Sequence, residues 1–188
     1  MKNNEEYTYA MHTLSILEKR KSCRYYTEGL ISQEELEAIL MAGNAAPIGM
    51  NRIRDIKIFV IQNPSLLMEL EENTQLIYAR MGLKMDGIYN APTLIIVTVK
   101  KLEGAFQKAQ YCSAACIIEN MLIAATEMEL GNIFLTGVAT ALNENEVLLR
   151  KIGIPEDYEA VGAMAVGKTE EEETKRQLSP LRIAVERR

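Results

Sequence analysis

The stretch RKSCRYY, residues 20–26, concentrates positive charge in a chain whose formal net charge is -5. If this segment is extended, the alternation of side chains directs Arg20, Ser22 and Arg24 to one side. Two guanidiniums with a hydroxyl between them can bind a phosphate, and each charge-assisted bond contributes about 1.5–3 kcal/mol. A solvated basic turn that pairs with surface acids is the alternative, and the cluster alone does not decide between the two.

Other chemistries have few candidate residues in this chain. His12 is the single histidine, so zinc sites of the usual types lack ligands. Cys112 and Cys116 are four residues apart, and we interpret them as small core residues. Nothing around His12 resembles a nucleophile elbow, and the sequence contains neither a G-x-G-x-x-G motif nor a Walker loop. We therefore expect no metal site, and any nucleotide must be held without a glycine-rich loop.

The bulk composition is that of a soluble globular protein. The 188 residues suit one domain, with 48% hydrophobic and 25% charged residues. The net negative charge argues against nucleic-acid binding. The first twenty residues lack the apolar run of a secretory signal, and no stretch approaches the length of a membrane span. Together with only three cysteines, these features predict a cytoplasmic protein without membrane contact.

Hydrophobic periodicity predicts a mixed α/β chain that positions the basic segment between its first two helices. Ser32 and Glu35 form a predicted capping box, and Asn143 with Glu146 predicts another helix start. The longest helix is apolar almost all round, which places it inside the fold or in a subunit interface. Predicted helices lie at about 8–18, 32–43, 64–82, 109–130 and 143–153, predicted strands at 56–61, 91–100 and 158–168, and an extended or turn segment at 132–139.

Four segments, taken in order, resemble the FMN-dependent nitroreductase-like flavoproteins. They are KRKSCRYYTEGLISQEELEAILMAGNAAPIGMN, NAPTLIIVTV, ENMLIAATEMELGNIFLTGVA and LLRKIGIPEDYEAVGAMAVGK. The resemblance implies a single FMN-binding domain over residues 1–188, with an extended tail at 170–188. It also implies an α+β fold of three layers, in which helices, including a long buried interface helix, flank a central and mostly antiparallel sheet.

The resemblance further implies which residues contact FMN. Arg20 would bind the phosphate, Ser22 the phosphate or ribityl end, and Arg24 the flavin edge at N1 and the C2 carbonyl. A loop from the other subunit would cover the flavin, and the segment at residues 135–137 would direct a backbone N–H toward N5. Cations of the tail, with Arg182 as a further candidate, would reach the phosphate. The full predicted set is Arg20, Lys21, Ser22, Arg24, Pro47, Ile48, Gly49, Asn51, Leu135, Thr136, Gly137, Lys175 and Arg176. We interpret Cys23 as a packing residue.

The implied function is that of a homodimeric oxidoreductase with FMN at the subunit interface. Hydride would pass from NADH or NADPH through flavin N5 to a small electron-poor acceptor such as a nitroaromatic or a quinone, and no catalytic side chain is required. The family's Gln-Pro-Trp after the loop asparagine is replaced here, and the chain has no tryptophan. An FMN-binding storage or sensor protein with little reductase activity is therefore the alternative. A module that binds another anion is a third possibility.

Overall fold

Helices and strands alternate irregularly along the chain, as the hydrophobic pattern predicts. The computed structural model describes residues 4–172, 174–179 and 182–188. Within these ranges the helices are α1 (Asn4–Lys19), α2 (Gln33–Asn44), α3 (Pro64–Arg80), α4 (Gly104–Glu127), α5 (Gly137–Asn143) and α6 (Glu146–Ile152). The strands are β1 (Ile56–Ile61), β2 (Thr93–Lys100), β3 (Gly131–Leu135) and β4 (Tyr158–Gly167). No helix in the described part of the chain has both the length and the apolar character needed to cross a bilayer.

The four strands form one antiparallel sheet in the order β1-β2-β4-β3. The central strand β2 is buried from Thr93 to Val99, since its β-branched and aliphatic side chains face helices on both sides. A register shift between Val97 and Thr98 interrupts its pairing with β4. The predictions of a central apolar strand at residues 91–100 and of a mostly antiparallel sheet are confirmed.

Two helical layers cover the two faces of the sheet, which gives the predicted three layers. Because successive side chains of β2 point to opposite faces, Ile95 and Val97 pack in one cluster with residues of α2 and α4. Leu94 and Ile96 pack in the other cluster with residues of α3 and α5. The α+β architecture is confirmed, and α4 buries one face against the sheet and α2. On this helix Cys116 packs half-buried against the core, but Cys112 is exposed, so its interpretation as a core residue is wrong.

Local capping signals fix several helix starts. Ser32 and Glu35 form the predicted capping box of α2, with the Glu35 N–H donating to Ser32 Oγ at 3.1 Å. Asn63 caps α3 through a bond from the Leu66 N–H, and Pro64 occupies the first turn, where its missing N–H is tolerated.

Four details of the predicted elements were wrong. Helix α1 begins at Asn4, four residues before the predicted start. The long helix α4 begins at Gly104, five residues before the predicted start. The segment at 132–139 is not simply extended, because β3 ends at Leu135 and α5 follows at once. The start of α6 is capped by Asn145 rather than Asn143, whose side chain instead bonds the backbone of Ala160 in both directions.

Candidate functional site

The basic segment, defined as residues 20–27, lies extended beside β3 and the end of β4. The Cys23 N–H donates to the Asn132 carbonyl, and the Thr27 N–H donates to the Lys168 carbonyl, both at 2.9 Å. The side chain of Cys23 is only 2% exposed. Burial raises the pKa of the Cys23 thiol, which supports its interpretation as a packing residue. The sheet therefore fixes the backbone from which the arginines project.

Guanidiniums from both ends of the chain converge on Arg20. Burial lowers the pKa of Arg20, and the positive charges of Arg176 and Arg182 lower it further, while the Glu119 carboxylate raises it. The guanidinium stays protonated at any ordinary pH, and the Glu119 carboxylate offsets part of the positive charge around it. Lys175, the other predicted tail contact, is exposed.

The tail, residues 170–188, reaches this cluster because its backbone is attached to the end of α1. The Arg176 N–H donates to the Glu18 carbonyl, and Arg176 Nε donates to the Leu17 carbonyl, both at 3.0 Å. These two bonds hold residue 176 beside the start of the basic segment. An extended tail was predicted, and no helix or strand is present in its described residues.

A carboxylate of the tail attaches it to the basic segment a second time. Glu171 accepts bonds from the N–H groups of Arg24 at 2.9 Å and Tyr25 at 3.2 Å, and it pairs with Lys21 Nζ at 3.0 Å. Burial by itself would raise the pKa of Glu171, but these donors outweigh it and lower the pKa to about 2. Lys21 also donates to the Glu172 carbonyl at 2.7 Å, so its ammonium group is directed at the tail.

Arg24 projects from the basic segment over an aromatic ring. Its guanidinium carbon lies 5.6 Å from the centroid of the Tyr89 ring, within the range of a cation–π contact. Arg24 also donates weakly to the carbonyl of Ser22 at 3.4 Å. An open groove of about 970 Å³ adjoins this pair and is lined by both residues and by residues 82–86. The pairing was not predicted, because 64 intervening residues of sequence give no sign that the two side chains meet.

The turn that carries Tyr89 is held by a buried carboxylate of α3. Glu71 accepts the N–H groups of Gly87 at 2.7 Å and Ile88 at 2.6 Å. Residue 87 has to be glycine, since a Cβ there would lie 2.8 Å from the Glu71 carbonyl oxygen. Tyr89 and Asn90 follow with left-handed φ angles of 58° and 54°. Sequence reasoning missed this anchor, although an acid on the buried face of a predicted helix is a signal that could have found it.

The loop at residues 47–51 is attached to α4 of its own chain. The Gly49 N–H donates to Ser113 Oγ at 3.0 Å, and the same hydroxyl donates to the Ala109 carbonyl at 2.8 Å. Met50 and Asn51 have left-handed φ angles of 55° and 53°, and Asn51 is exposed, as is Pro47. Ile48 and Asn51 border a largely apolar cavity of about 440 Å³ behind the loop.

The third predicted segment lies where β3 passes into α5. Leu135 is buried, Thr136 is exposed and precedes the helix, and Gly137 opens it. A Cβ on Gly137 would lie 2.1 Å from Tyr78 Oη, so a larger residue at this position would displace the Tyr78 side chain. Burial raises the pKa of the Tyr78 phenol, and the neighbouring Tyr89 and Glu71 raise it further.

The structure thus brings together some of the predicted residues and leaves others apart. Arg20 lies with Arg176 and Arg182, and the basic segment is bonded to the tail. The described contacts of the loop at 47–51 are with α4, and those of Gly137 are with α3. In the described ranges no group of three or more His, Cys, Asp or Glu residues could hold a metal ion.

The three layers, with helices on both faces of one antiparallel sheet, define the class of the protein as α+β. A sequence profile of the nitroreductase family matches residues 17–168. The chain belongs to the nitroreductase family.

Similar proteins agree with this assignment. A protein of Archaeoglobus fulgidus that carries the provisional name NADH dehydrogenase/NAD(P)H nitroreductase is 27% identical over 162 residues, which are 85% of this chain and 86% of that one. A nitroreductase of Bacteroides fragilis, solved with bound FMN, is 28% identical with a TM-score of 0.78, and the match covers 93% of this chain and 98% of that one. An NADPH:FMN oxidoreductase of Vibrio harveyi, solved with NAD+, shares the fold at 17% identity and a TM-score of 0.76, with coverage of 93% and 76%.

Proposed function

We propose that this protein is an FMN-dependent oxidoreductase that moves hydride from NADH or NADPH to an electron-poor small molecule such as a nitroaromatic or a quinone. Membership of the nitroreductase family and the FMN bound by the Bacteroides fragilis nitroreductase support the cofactor. The names of the Archaeoglobus fulgidus and Vibrio harveyi proteins support the nicotinamide donor.

One observation carries the proposal: the positive charges of Arg176 and Arg182 act on the Arg20 guanidinium, at the start of the basic segment whose backbone is bonded to Asn132 and Lys168. A phosphate monoester is close to a dianion at neutral pH. It therefore binds to a cluster of guanidiniums more strongly than a ligand group that is neutral or carries a single negative charge. In this proposal Arg20 and Arg176 bind the phosphate oxygens. Ser22 and Lys175 remain predicted contacts of the same end of FMN.

At the other end of the cofactor, two features of the chain match what a flavin requires. Bound FMN would accept and release hydride at N5, and its reduced form carries negative charge near N1. Arg24 provides a cation for N1, four residues along the extended segment from Arg20. The segment Leu135–Gly137 provides the backbone N–H predicted to face N5.

We further propose that a homodimer forms the complete site. The loop at 47–51 is anchored on α4 and carries two left-handed residues and an exposed asparagine. The described contacts of this loop are with α4 and not with the arginine cluster, which supports the role of covering the flavin bound mainly by a second copy. Pro47, Ile48, Gly49 and Asn51 are the loop residues predicted to make that cover.

Titration of the purified apoprotein with FMN tests the proposal. Arg20→Ala and Arg176→Ala should each weaken FMN binding by about 10- to 150-fold, the equivalent of one charge-assisted bond. Arg150→Ala is the matched control, because Arg150 lies exposed on α6 and pairs with Glu146. Failure of the unsubstituted protein to bind FMN, or equal losses in all three variants, would refute the assignment.

Anaerobic addition of NADH and NADPH to the FMN-loaded protein then tests the reaction. Loss of the yellow flavin absorbance, followed by its return when a quinone is added, is the result expected of an oxidoreductase. Flavin that stays oxidised with both nicotinamides would identify a storage or sensor protein, which the altered residues after Asn51 favour.

A further inference from the structure

Arg24 is the cation on which the proposed flavin chemistry depends, and it lies on the protein surface. Its side chain is exposed, and its only described hydrogen bond from the guanidinium is the 3.4 Å contact with the Ser22 carbonyl. An exposed arginine samples many rotamers, and fixing it costs up to about 2 kcal/mol of side-chain entropy. A cation that stabilises charge at one atom of a ligand must be oriented beforehand. Some neighbour has to supply that orientation.

The Tyr89 ring is the neighbour whose geometry suits this task. The ring centroid lies 5.6 Å from the Arg24 guanidinium carbon, and Tyr89 is itself partly buried. A planar guanidinium over an aromatic face keeps its N–H groups free at its edges, where they can still donate to a ligand. The contact therefore orients Arg24 without occupying its donors.

The backbone beneath Tyr89 is held in place from two directions. On the N-terminal side, the Glu71 carboxylate accepts the N–H groups of Gly87 and Ile88. On the C-terminal side, Ala91 is buried and its N–H donates to the Ile88 carbonyl at 3.2 Å, directly before β2. Between these anchors Tyr89 and Asn90 keep left-handed conformations that cost free energy for non-glycine residues. Strain of this kind persists only where the surrounding structure enforces it.

We infer that Tyr89 is a positioning residue for Arg24: its ring, fixed by the anchored turn, holds the guanidinium where it stabilises the negative charge of reduced FMN. This inference rests on the proposed function and adds a residue that does not itself need to touch the cofactor. It explains why a large aromatic side chain is present at a strained backbone position. It also predicts that loss of the Tyr89 ring weakens the binding of reduced FMN more than the binding of oxidised FMN.

The test measures the dissociation constants of oxidised FMN and of chemically reduced FMN, anaerobically and without any acceptor. Tyr89→Leu removes the ring. It should raise the dissociation constant of reduced FMN by about two- to fivefold more than that of oxidised FMN, as expected for one cation–π contact. Tyr89→Phe keeps the ring and should retain the ratio of the two constants. Tyr89→Met is measured alongside Tyr89→Leu as a second ringless variant in case the first does not fold.

Two controls separate orientation of Arg24 from a general effect on stability. Tyr25→Ala removes a neighbouring tyrosine whose side chain is 77% exposed, and it should leave the ratio unchanged. In an Arg24→Ala background, Tyr89→Leu should no longer alter the ratio, because the group that Tyr89 orients is gone. A ratio that is unchanged in the ringless variants, or changed equally in the Arg24→Ala background, overturns the inference.

The outcomes also distinguish this inference from the proposed function. If the unsubstituted protein binds no FMN, both fail together. If FMN binds and Arg24→Ala selectively weakens its reduced form while Tyr89→Leu and Tyr89→Met do not, the oxidoreductase assignment stands and the role of Tyr89 is refuted.

Discussion

Replacement of Glu71 by alanine should destabilise the protein by an amount that its hydrogen bonds allow us to work out. The carboxylate accepts the N–H groups of Gly87 and Ile88 at 2.7 and 2.6 Å, and it accepts a further bond from Gln75. Each buried N–H left without an acceptor costs about 1–3 kcal/mol. Residues 81–86 of the same turn are exposed, so water can reach part of the vacated site. We therefore expect a loss of about 2–4 kcal/mol in the free energy of unfolding.

Urea unfolding of the apoprotein, followed by circular dichroism, measures this loss, provided that the m-value is unchanged. Glu71→Gln should lose less, because its amide carbonyl keeps one of the two backbone bonds. Glu72→Ala is the matched control: the adjacent side chain on α3 is exposed, and its removal should change stability by no more than about 0.5 kcal/mol.

The same variants have a local signature. In Glu71→Ala the amide hydrogens of Gly87 and Ile88 should exchange with solvent faster than in the unsubstituted protein. Those of β2 should speed up only as far as the loss of global stability requires. A Glu71→Ala protein as stable as the Glu72→Ala control, with both amides still protected, would refute the account of the turn.

Three further predictions concern the basic segment and the loop. The folded-state pKa of Glu171 is lowered from 4.5 to about 2, so its stabilising contribution is complete above pH 4.5 and is lost as the pH falls through about 2. The difference in unfolding free energy between the unsubstituted protein and Glu171→Gln should accordingly shrink over that interval, and a constant difference would contradict this reasoning. Ser113→Ala should lower stability by about 0.5–1.5 kcal/mol, since the Gly49 N–H loses its acceptor, and an unchanged urea midpoint would argue against that anchor. Cys23 should react slowly with iodoacetamide in the native protein and rapidly in urea, because burial both shields its thiol and raises the pKa; equal rates, read by peptide mass spectrometry, would exclude the buried position.

The parts of the fold that the sequence predicted are those with strong local signals. The capping box of Ser32 and Glu35 and the apolar run of β2 are readable because a few neighbouring residues determine each of them. Helix α5 was missed because seven residues that follow directly on a strand are too few to show a helical period. The start of α6 was misassigned because Asn143 matches a cap by spacing, yet a contact with the distant Ala160 engages its side chain.

In the candidate site, too, local patterns could be predicted from the sequence and long-range contacts could not. The pattern of Arg20, Ser22 and Arg24 predicts an anion-binding segment from residue type and alternation alone, and their contact with a ligand stays a prediction. The contacts of Arg24 with Tyr89 and of Glu71 with Gly87 depend on how the turn before β2 folds back onto α3. Pairings across such separations are set by tertiary structure, which no local pattern in one sequence encodes.

The bond from Arg176 Nε to the Leu17 carbonyl joins positions 159 residues apart, and this separation has a consequence for synthesis. A ribosome releases Leu17 long before Arg176, so this bond can form only after the sheet and its helices have emerged. Under the proposed function, the contacts of Arg20 and Arg176 with a phosphate would therefore be the last part of the site to assemble during synthesis. Binding of the cofactor would then follow folding of the scaffold and would not guide it.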